Sequence, residues 1–245
     1  MWRVTPAPGI RFAGACRVGA EPLFGPIDLR IVAGGWTCLL GPSGIGKSTV
    51  LRLIAGLDTG CSFNGDIATD DGEPLAGRVS YMAQSDLLAP WLDVLGNVTL
   101  GMRLRVEAPD LPRARRLIER VGLSAHVHKK PRVLSGGMRQ RAALARTLME
   151  DRPIALLDEP FSALDARTRA EMQELSAELL GGRTVLLVTH DPGEAARLGN
   201  RIVLWTEAGL TEMQAPASAP VRLAEAPETL ACQADLLQAL RGSGA

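Results

Sequence analysis

The stretch GPSGIGKST, from Gly41 to Thr49, constrains the fold more than any other part of the chain. It directly follows the apolar run WTCLL and precedes the helical pattern VLRLIAGL. Glycines allow successive backbone N–H groups to turn inward around a phosphate, and a helix N-terminus adds the positive end of its dipole. The order of strand, loop and helix therefore predicts a phosphate-binding turn between a buried strand and a helix.

The side chains around this turn predict the chemistry of a nucleoside triphosphate. Lys47 is expected to reach the β- and γ-phosphates, and the Ser48 hydroxyl is expected to bind Mg²⁺. The strand IALLDEP ends in Asp158, which suits Mg²⁺ coordination, and Glu159, which is placed to polarise the attacking water. These parts predict a P-loop NTPase. The expected contacts of the phosphate loop are Gly41, Pro42, Ser43, Gly44, Ile45, Gly46, Lys47, Ser48 and Thr49.

The rest of the chain predicts an α/β fold. Short apolar runs bounded by Gly and Pro read as buried strands of a largely parallel sheet, and these runs are WTCLLG, RVSYMA, IALLDEP, TVLLVTH and RIVLW. In PRARRLIERVGL, Ala114, Leu117, Ile118 and Val121 recur at helical spacing. We expect a P-loop NTPase-type sheet core, an antiparallel β part, and an α-helical subdomain inserted at about residues 87–150.

We expect an ATPase domain over residues 1–212 and a tail over residues 213–245. The tail begins with the linker MQAPASAP and ends in a short amphipathic helix near Leu230, Leu237 and Leu240. A further helix is expected from Ala166, with Asp165 as its N-cap.

Composition limits the possible partners and compartment. The 27 basic and 27 acidic residues cancel, so no global field favours nucleic acid. The scattered cysteines, which are Cys16, Cys38, Cys61 and Cys232, indicate neither a metal site nor a disulfide framework and suit a reducing cytoplasm. The amino terminus lacks the apolar stretch of a signal peptide, and no apolar run approaches the ~20 residues that span a bilayer. Any work at a membrane then needs another chain that spans it.

A second glycine-rich helix start follows at LSGGMRQRAALARTL, from Leu134 to Leu148. Ser135 and the N–H groups of Gly136 and Gly137 would form another anion-binding turn. If the two turns lie far apart in one fold, both can meet one nucleotide only when two subunits pair head to tail.

With LSGGMRQR in place, the sequence resembles the ATP-binding-cassette ATPases from about Ile27 to Trp205. The resemblance implies that Gln84 is the glutamine that senses Mg²⁺ and the γ-phosphate. It implies that Ser162–Asp165 (SALD) is the D-loop at the dimer seam, with Asp165 near the nucleotide. It also implies that Glu159 is the general base and that His190, in LLVTHD, is the switch histidine at the γ-phosphate.

The same resemblance implies the partners. Two identical nucleotide-binding subunits would close over two ATP molecules and move transmembrane permease subunits from the cytoplasmic face of the inner membrane, where the protein is peripheral. The stretch SDLLAPWLDVLGNVTLG, chiefly Pro90 and Trp91, is similar to importer ATPases for nitrate, sulfonates, taurine and thiamine-precursor pyrimidines. An importer implies a periplasmic or extracellular solute-binding protein.

One position departs from the family pattern. Where an aromatic ring usually stacks on adenine, this chain has Val18, with Arg17 and Phe12 nearby. Whether Val18, Phe12 or Arg17 stacks on adenine, or none of them does, is therefore left open.

Three other classes of protein share parts of this pattern. A cassette ATPase of DNA repair or translation usually carries coiled-coil insertions, tandem cassettes or basic extensions, and none occurs here. A cassette of an exporter or a lipid-extraction complex stays open, because Pro90 and Trp91 favour import only weakly. A small-molecule P-loop kinase does not account for LSGGMRQR together with VTHD.

Overall fold

The computed structural model describes residues 7–242. Residues 1–6 and 243–245 lie outside the described residues. They include the two ends of the predicted units 1–212 and 213–245, and the start of the amino-terminal segment in which the sequence predicts no signal peptide. The strands are β1 Ile10–Val18, β2 Glu21–Ile31, β3 Trp36–Leu40, β4 Ser62–Thr69, β5 Val79–Met82, β6 Ile154–Asp158, β7 Thr184–Thr189, β8 Arg201–Thr206 and β9 Gly209–Met213. The helices are α1 Lys47–Ile54, α2 Val94–Val98, α3 Leu100–Leu104, α4 Leu111–Arg120, α5 Gly136–Met149, α6 Ala166–Leu179, α7 Pro192–Leu198 and α8 Pro227–Gly242.

A six-stranded sheet in the order β5-β6-β7-β3-β8-β9 forms the centre of the molecule. Its strands pair in parallel except for β9, which runs antiparallel to β8. All five strands predicted from the apolar runs lie in this sheet. A separate antiparallel sheet has the order β2-β1-β4. The predicted α/β fold class is confirmed.

The central sheet is covered on both faces, as its continuous apolar strands require. Leu39 and Leu40 are both fully buried but point to opposite faces, because side chains alternate along a strand. Leu40 packs with the helical side of the core. Leu39 packs with α1 and the antiparallel sheet.

The inserted helical part contains α2 to α5. The four apolar positions predicted for α4 are all buried, from Ala114 to Val121. Asp110 caps α4 by accepting a hydrogen bond from the Arg113 backbone N–H at 2.9 Å. The amphipathic reading of this segment is therefore confirmed.

The C-terminal helix α8 lies where the sequence predicts a helix, but only one of the three leucines named for it packs against the core. Cys232 and Leu236 are buried and Leu240 is partly buried against the core, whereas Leu230 and Leu237 are exposed. Leucine and alanine occur all around this helix, so the buried face is selected by its contact with α7 rather than by the pattern. The division of the chain at residue 212 stays a prediction.

The expectation of no disulfide is wrong for one pair of cysteines. Cys16 and Cys61 form a disulfide with their Cα atoms 6.3 Å apart, although 45 residues separate them in sequence. Antiparallel pairing of β1 with β4 brings these distant positions together. Within residues 7–242, no helix is long and apolar enough to cross a membrane.

Candidate active site

The phosphate loop joins β3 to α1, as the motif predicts. Gly44 and Gly46 have φ angles of 85° and 111°, in the left-handed range that glycine adopts without strain. A Cβ atom on Gly46 would lie 2.7 Å from the Phe24 ring, and one on Gly41 would lie 2.3 Å from the Trp205 carbonyl oxygen. The shape of the loop therefore depends on glycine at these positions, and the sequence analysis missed the supporting roles of Phe24 and Trp205.

Lys47, at the start of α1, is only 5% exposed. Its Nζ donates to the carbonyl oxygens of Gly41 at 2.8 Å and Pro42 at 2.7 Å. Burial lowers the pKa of Lys47, and the nearby carboxylates of Glu159 and Asp158 oppose that shift. The loop thus holds a cation at the point where phosphate charge is expected.

The two residues predicted to bind Mg²⁺ meet at the junction of α1 and β6. The Ser48 hydroxyl donates to Asp158 Oδ1 at 3.1 Å. Burial raises the pKa of Asp158, while the Ser48 hydrogen bond and Lys47 lower it. A hydroxyl and a carboxylate are oxygen ligands of the type that Mg²⁺ prefers, so this pair fits the ion.

Three predicted catalytic side chains converge one residue beyond β6. Gln84 Nε2 donates to Glu159 Oε2 at 3.1 Å, and His190 Nδ1 lies 3.1 Å from Glu159 Oε1. Gln84 follows β5 and His190 follows β7, the two neighbours of β6 in the sheet. Parallel pairing therefore places the three groups at the same edge, where ligands of α/β sheets bind.

Glu159 has a left-handed backbone, with φ of 47°. Such a conformation costs on the order of 1–3 kcal/mol for a residue other than glycine and persists where the surroundings impose it. Here the Glu159 N–H donates to the Val188 carbonyl at 2.9 Å. Gln140 Nε2 donates to the carbonyls of Glu159 at 3.2 Å and Pro160 at 3.1 Å. Gln140 therefore helps to aim the Glu159 carboxylate. It is a residue of the LSGGMRQR motif, but sequence reasoning gave it no role.

The second glycine-rich turn begins α5. Ser135 Oγ accepts a hydrogen bond from the Met138 N–H at 3.3 Å, so Ser135 is the N-cap. Gly136 and Gly137 form the first turn, and a Cβ on Gly137 would be 3.4 Å from the Ala163 carbonyl. The segment Ser162–Asp165, predicted to be the D-loop, therefore lies against this turn in the same chain. Asp165 caps α6 through the Thr168 N–H at 3.0 Å, as predicted.

A buried carboxyl that the sequence analysis missed lies behind His190. Glu194 is 4% exposed, and its Oε2 accepts a hydrogen bond from Thr189 Oγ1 at 2.7 Å. Burial raises the pKa of Glu194 to about 7. The only sequence signal was an acid within VTHDPGEAA, which by itself is typical of a helix first turn.

The structure narrows the three candidates for adenine stacking. Phe12 is fully buried and packs against the rings of Phe63 and Phe24, at centroid distances of 5.0 and 6.4 Å. It therefore cannot cover a base, because its position in β1 points it into the core. Val18 is 53% exposed, and Arg17 is exposed and donates to the Ala20 carbonyl.

The segment after Gln84 presents apolar side chains to solvent. Leu87 is 65% exposed and Trp91 is 71% exposed. Fully buried Asn97 holds this segment: its Oδ1 accepts from the Ala89 N–H at 2.7 Å, and its Nδ2 lies within 3.3 Å of the carbonyls of Ala89, Leu92 and Asp93. An exposed tryptophan on a rigid support is typical of a protein contact surface.

A phosphate loop between the parallel strand β3 and a helix, with an acidic pair at the end of β6, which only β7 separates from β3 in the sheet, defines a P-loop nucleoside triphosphatase. The family model described as ABC transporter matches residues 24–162. The chain belongs to this family, as the sequence resemblance indicated, and is an ATP-binding, ATP-hydrolysing cassette.

Individual relatives agree with this assignment. The chain is 47% identical over 184 residues to an ABC transporter ATP-binding protein of Haemophilus influenzae, covering 74% of this chain and 75% of the relative. It is 45% identical over 197 residues to an aliphatic sulfonates import ATP-binding protein of Rhodococcus jostii, covering 79% and 78%. A solved dimeric ATP-binding cassette in a post-hydrolysis state with ADP and phosphate matches with a TM-score of 0.70 and 30% identity, covering 80% of this chain and 93% of the solved one.

Proposed function

We propose that this chain is the ATP-hydrolysing subunit of an importer for small organic solutes, with sulfonates as the favoured class. The observation that carries the ATPase assignment is the meeting of Gln84, Glu159 and His190 at one edge of the sheet. Relatives named as aliphatic sulfonates import subunits support import, as does the likeness around Pro90 and Trp91. An exporter or lipid-extraction role has no comparable support.

The proposed chemistry is positioning together with charge stabilisation. Lys47 and the loop N–H groups bind the phosphates of ATP, and Ser48, Asp158 and Gln84 hold Mg²⁺. The ion neutralises charge on the phosphate oxygens when it is bound. Glu159 accepts the proton of the attacking water, because its carboxylate is held at both oxygens by Gln84 and His190. His190 also contacts the γ-phosphate.

The proposed working unit is a homodimer. The turn Ser135–Gly137 presents helix N–H groups that a nucleotide on a second copy can use, and Asp165 belongs to the loop at the seam. Transmembrane permease subunits dock on the exposed segment with Leu87 and Trp91, which places the cassette peripherally on the cytoplasmic face of the inner membrane. A solute-binding protein delivers the cargo from the other side, and no nucleic acid takes part.

The first test is Glu159→Gln. An amide cannot accept the water's proton, so hydrolysis of Mg·ATP falls by about 10²–10⁴-fold while ATP binding persists. The variant also accumulates as an ATP-bound dimer, which light scattering detects. Lys47→Ala is the binding-deficient control. Near wild-type turnover by Glu159→Gln removes Glu159 from the role of base.

The second test addresses the dimer. Ser135→Arg keeps binding of one ATP per monomer, because the phosphate loop of the same chain is intact, but abolishes hydrolysis. Equilibrium binding of a fluorescent ATP analogue and a phosphate-release assay separate the two effects. Loss of nucleotide binding by the isolated monomer contradicts the placement of Ser135 across a dimer interface.

A further inference from the structure

The D-loop and the segment that carries the switch histidine are joined by one side chain, Arg169 of α6. Its Nη2 donates to the Leu164 carbonyl oxygen, inside the D-loop, at 3.1 Å. Its Nη1 donates to Asp191 Oδ2, next to His190, at 3.3 Å. One guanidinium therefore connects two loops, in which Leu164 and Asp191 are 27 residues apart in sequence.

Asp191 is fixed by more than this ion pair. Its Oδ1 accepts from the Gly193 N–H at 2.8 Å and so caps α7, and its own N–H donates to Thr189 Oγ1 at 3.0 Å. Only Oδ2 is left for Arg169. His190 lies between the two anchored residues Thr189 and Asp191, so a displacement of Asp191 moves the backbone that aims the imidazole.

The D-loop is also tied to the backbone of Glu159. Ser162 Oγ donates to the Glu159 carbonyl oxygen at 3.1 Å. A cavity of about 50 Å³ lies between these parts and is lined by Glu159, Ser162, Arg169, Thr189, His190, Asp191 and Glu194. Arg169 thus lies directly behind the proposed site of water activation without being part of the phosphate loop.

We propose that Arg169 is a positioning residue for hydrolysis, which couples the D-loop to the switch segment and so sets the orientation of His190 against Glu159. The proposal rests on the proposed ATPase dimer, in which a second copy contacts the D-loop. An arginine suits this role because its planar fork presents two N–H groups at a fixed angle, which allows it to hold a carbonyl and a carboxylate together.

The test compares Arg169→Met with the matched control Arg167→Met. Arg167 lies on the same helix, is exposed, and pairs with Glu171 one turn away. Arg169→Met is expected to lower kcat for Mg·ATP on the order of tenfold to a hundredfold, as for a displaced catalytic group. Its KM stays within about twofold of wild type, because the phosphate loop is untouched. Arg167→Met is expected to leave both constants unchanged.

Coupling to His190 separates positioning from a general structural effect. In a His190→Ala background, single-turnover rates are expected to show no further loss from Arg169→Met, because the group being aimed is gone. Multiplicative losses in the double variant overturn the proposal, and so does a wild-type kcat for Arg169→Met.

A second variant decides the question if Arg169→Met fails to fold. Asp191→Asn keeps the oxygen that caps α7 but removes the charge that Arg169 binds, and the same fall in kcat is expected. A wild-type kcat for Asp191→Asn then overturns the proposal. If Glu159→Gln abolishes ATPase activity but Arg169→Met and Asp191→Asn keep it, only this inference is refuted. If the wild-type protein has no ATPase activity, the proposed function itself is refuted.

Discussion

Glu194→Gln tests whether the buried carboxyl behind His190 destabilises the folded protein at neutral and higher pH. Glu194 is 4% exposed and accepts one hydrogen bond from Thr189 at 2.7 Å. Burial raises its pKa from 4.5 to about 7, with repulsion from Asp191 in the same direction. The Thr189 hydrogen bond and the neighbouring side chains of Arg169 and His190 oppose the shift but do not cancel it.

The sign and size of the effect follow from proton linkage. Between pH 4.5 and about 7 the folded state binds more protons at Glu194 than the unfolded state, so the free energy of unfolding falls as pH rises. Above about pH 7 this contribution is constant, at about 3 kcal/mol of destabilisation. Glutamine keeps an oxygen for Thr189 and has no charge to desolvate. The stability of the variant relative to wild type is therefore expected to increase by about 2–3 kcal/mol between pH 5 and pH 8.

Urea unfolding followed by circular dichroism at pH 5, 6, 7 and 8 measures this difference. Glu225→Gln, which changes an exposed carboxyl, is the matched control and is expected to show a difference from wild type that does not vary with pH. The reasoning is refuted if the Glu194→Gln difference is also constant with pH, or if wild type gains stability relative to the variant as pH rises.

Two further predictions concern the loop after Gln84 and the residues expected near the adenine base of ATP. Asn97→Ala removes every hydrogen bond that the Asn97 amide makes to the backbone of residues 89–93. The free energy of unfolding in urea is expected to fall by about 2–3 kcal/mol, and proteolysis near Trp91 is expected to be faster. Protection of that loop equal to wild type contradicts the role of Asn97. Val18→Tyr is expected to tighten ATP binding by about fivefold to a hundredfold, since base stacking is worth ~1–3 kcal/mol. In the wild type the affinities for ATP and GTP are expected to lie within about tenfold of each other, and the variant is expected to prefer ATP more strongly. Competition titrations check this, and a strong ATP preference that Arg17→Ala removes would assign the base contact to Arg17 instead.

The sequence by itself determined the parts of this protein whose conformation depends on near neighbours. The phosphate loop is one such part, because Gly44 and Gly46 permit the left-handed turns within a few residues of the strand and helix they connect. The cap at Asp165 and the buried strands are others, because an N-cap acts within one turn and an apolar run of strand length already implies burial on both faces.

Only the tertiary structure decided which distant residues meet. Gln84, Glu159 and His190 come together because β5, β6 and β7 are neighbours in the sheet, an order that no local pattern encodes. The burial of Phe12, the pairing of Cys16 with Cys61 and the choice of buried face on α8 depend in the same way on elements far apart in the chain. The ion pair between Arg169 and Asp191 also depends on the tertiary structure, because the packing of whole helices and strands decides which side chains meet. That packing follows from the summed burial of apolar surface rather than from any short segment.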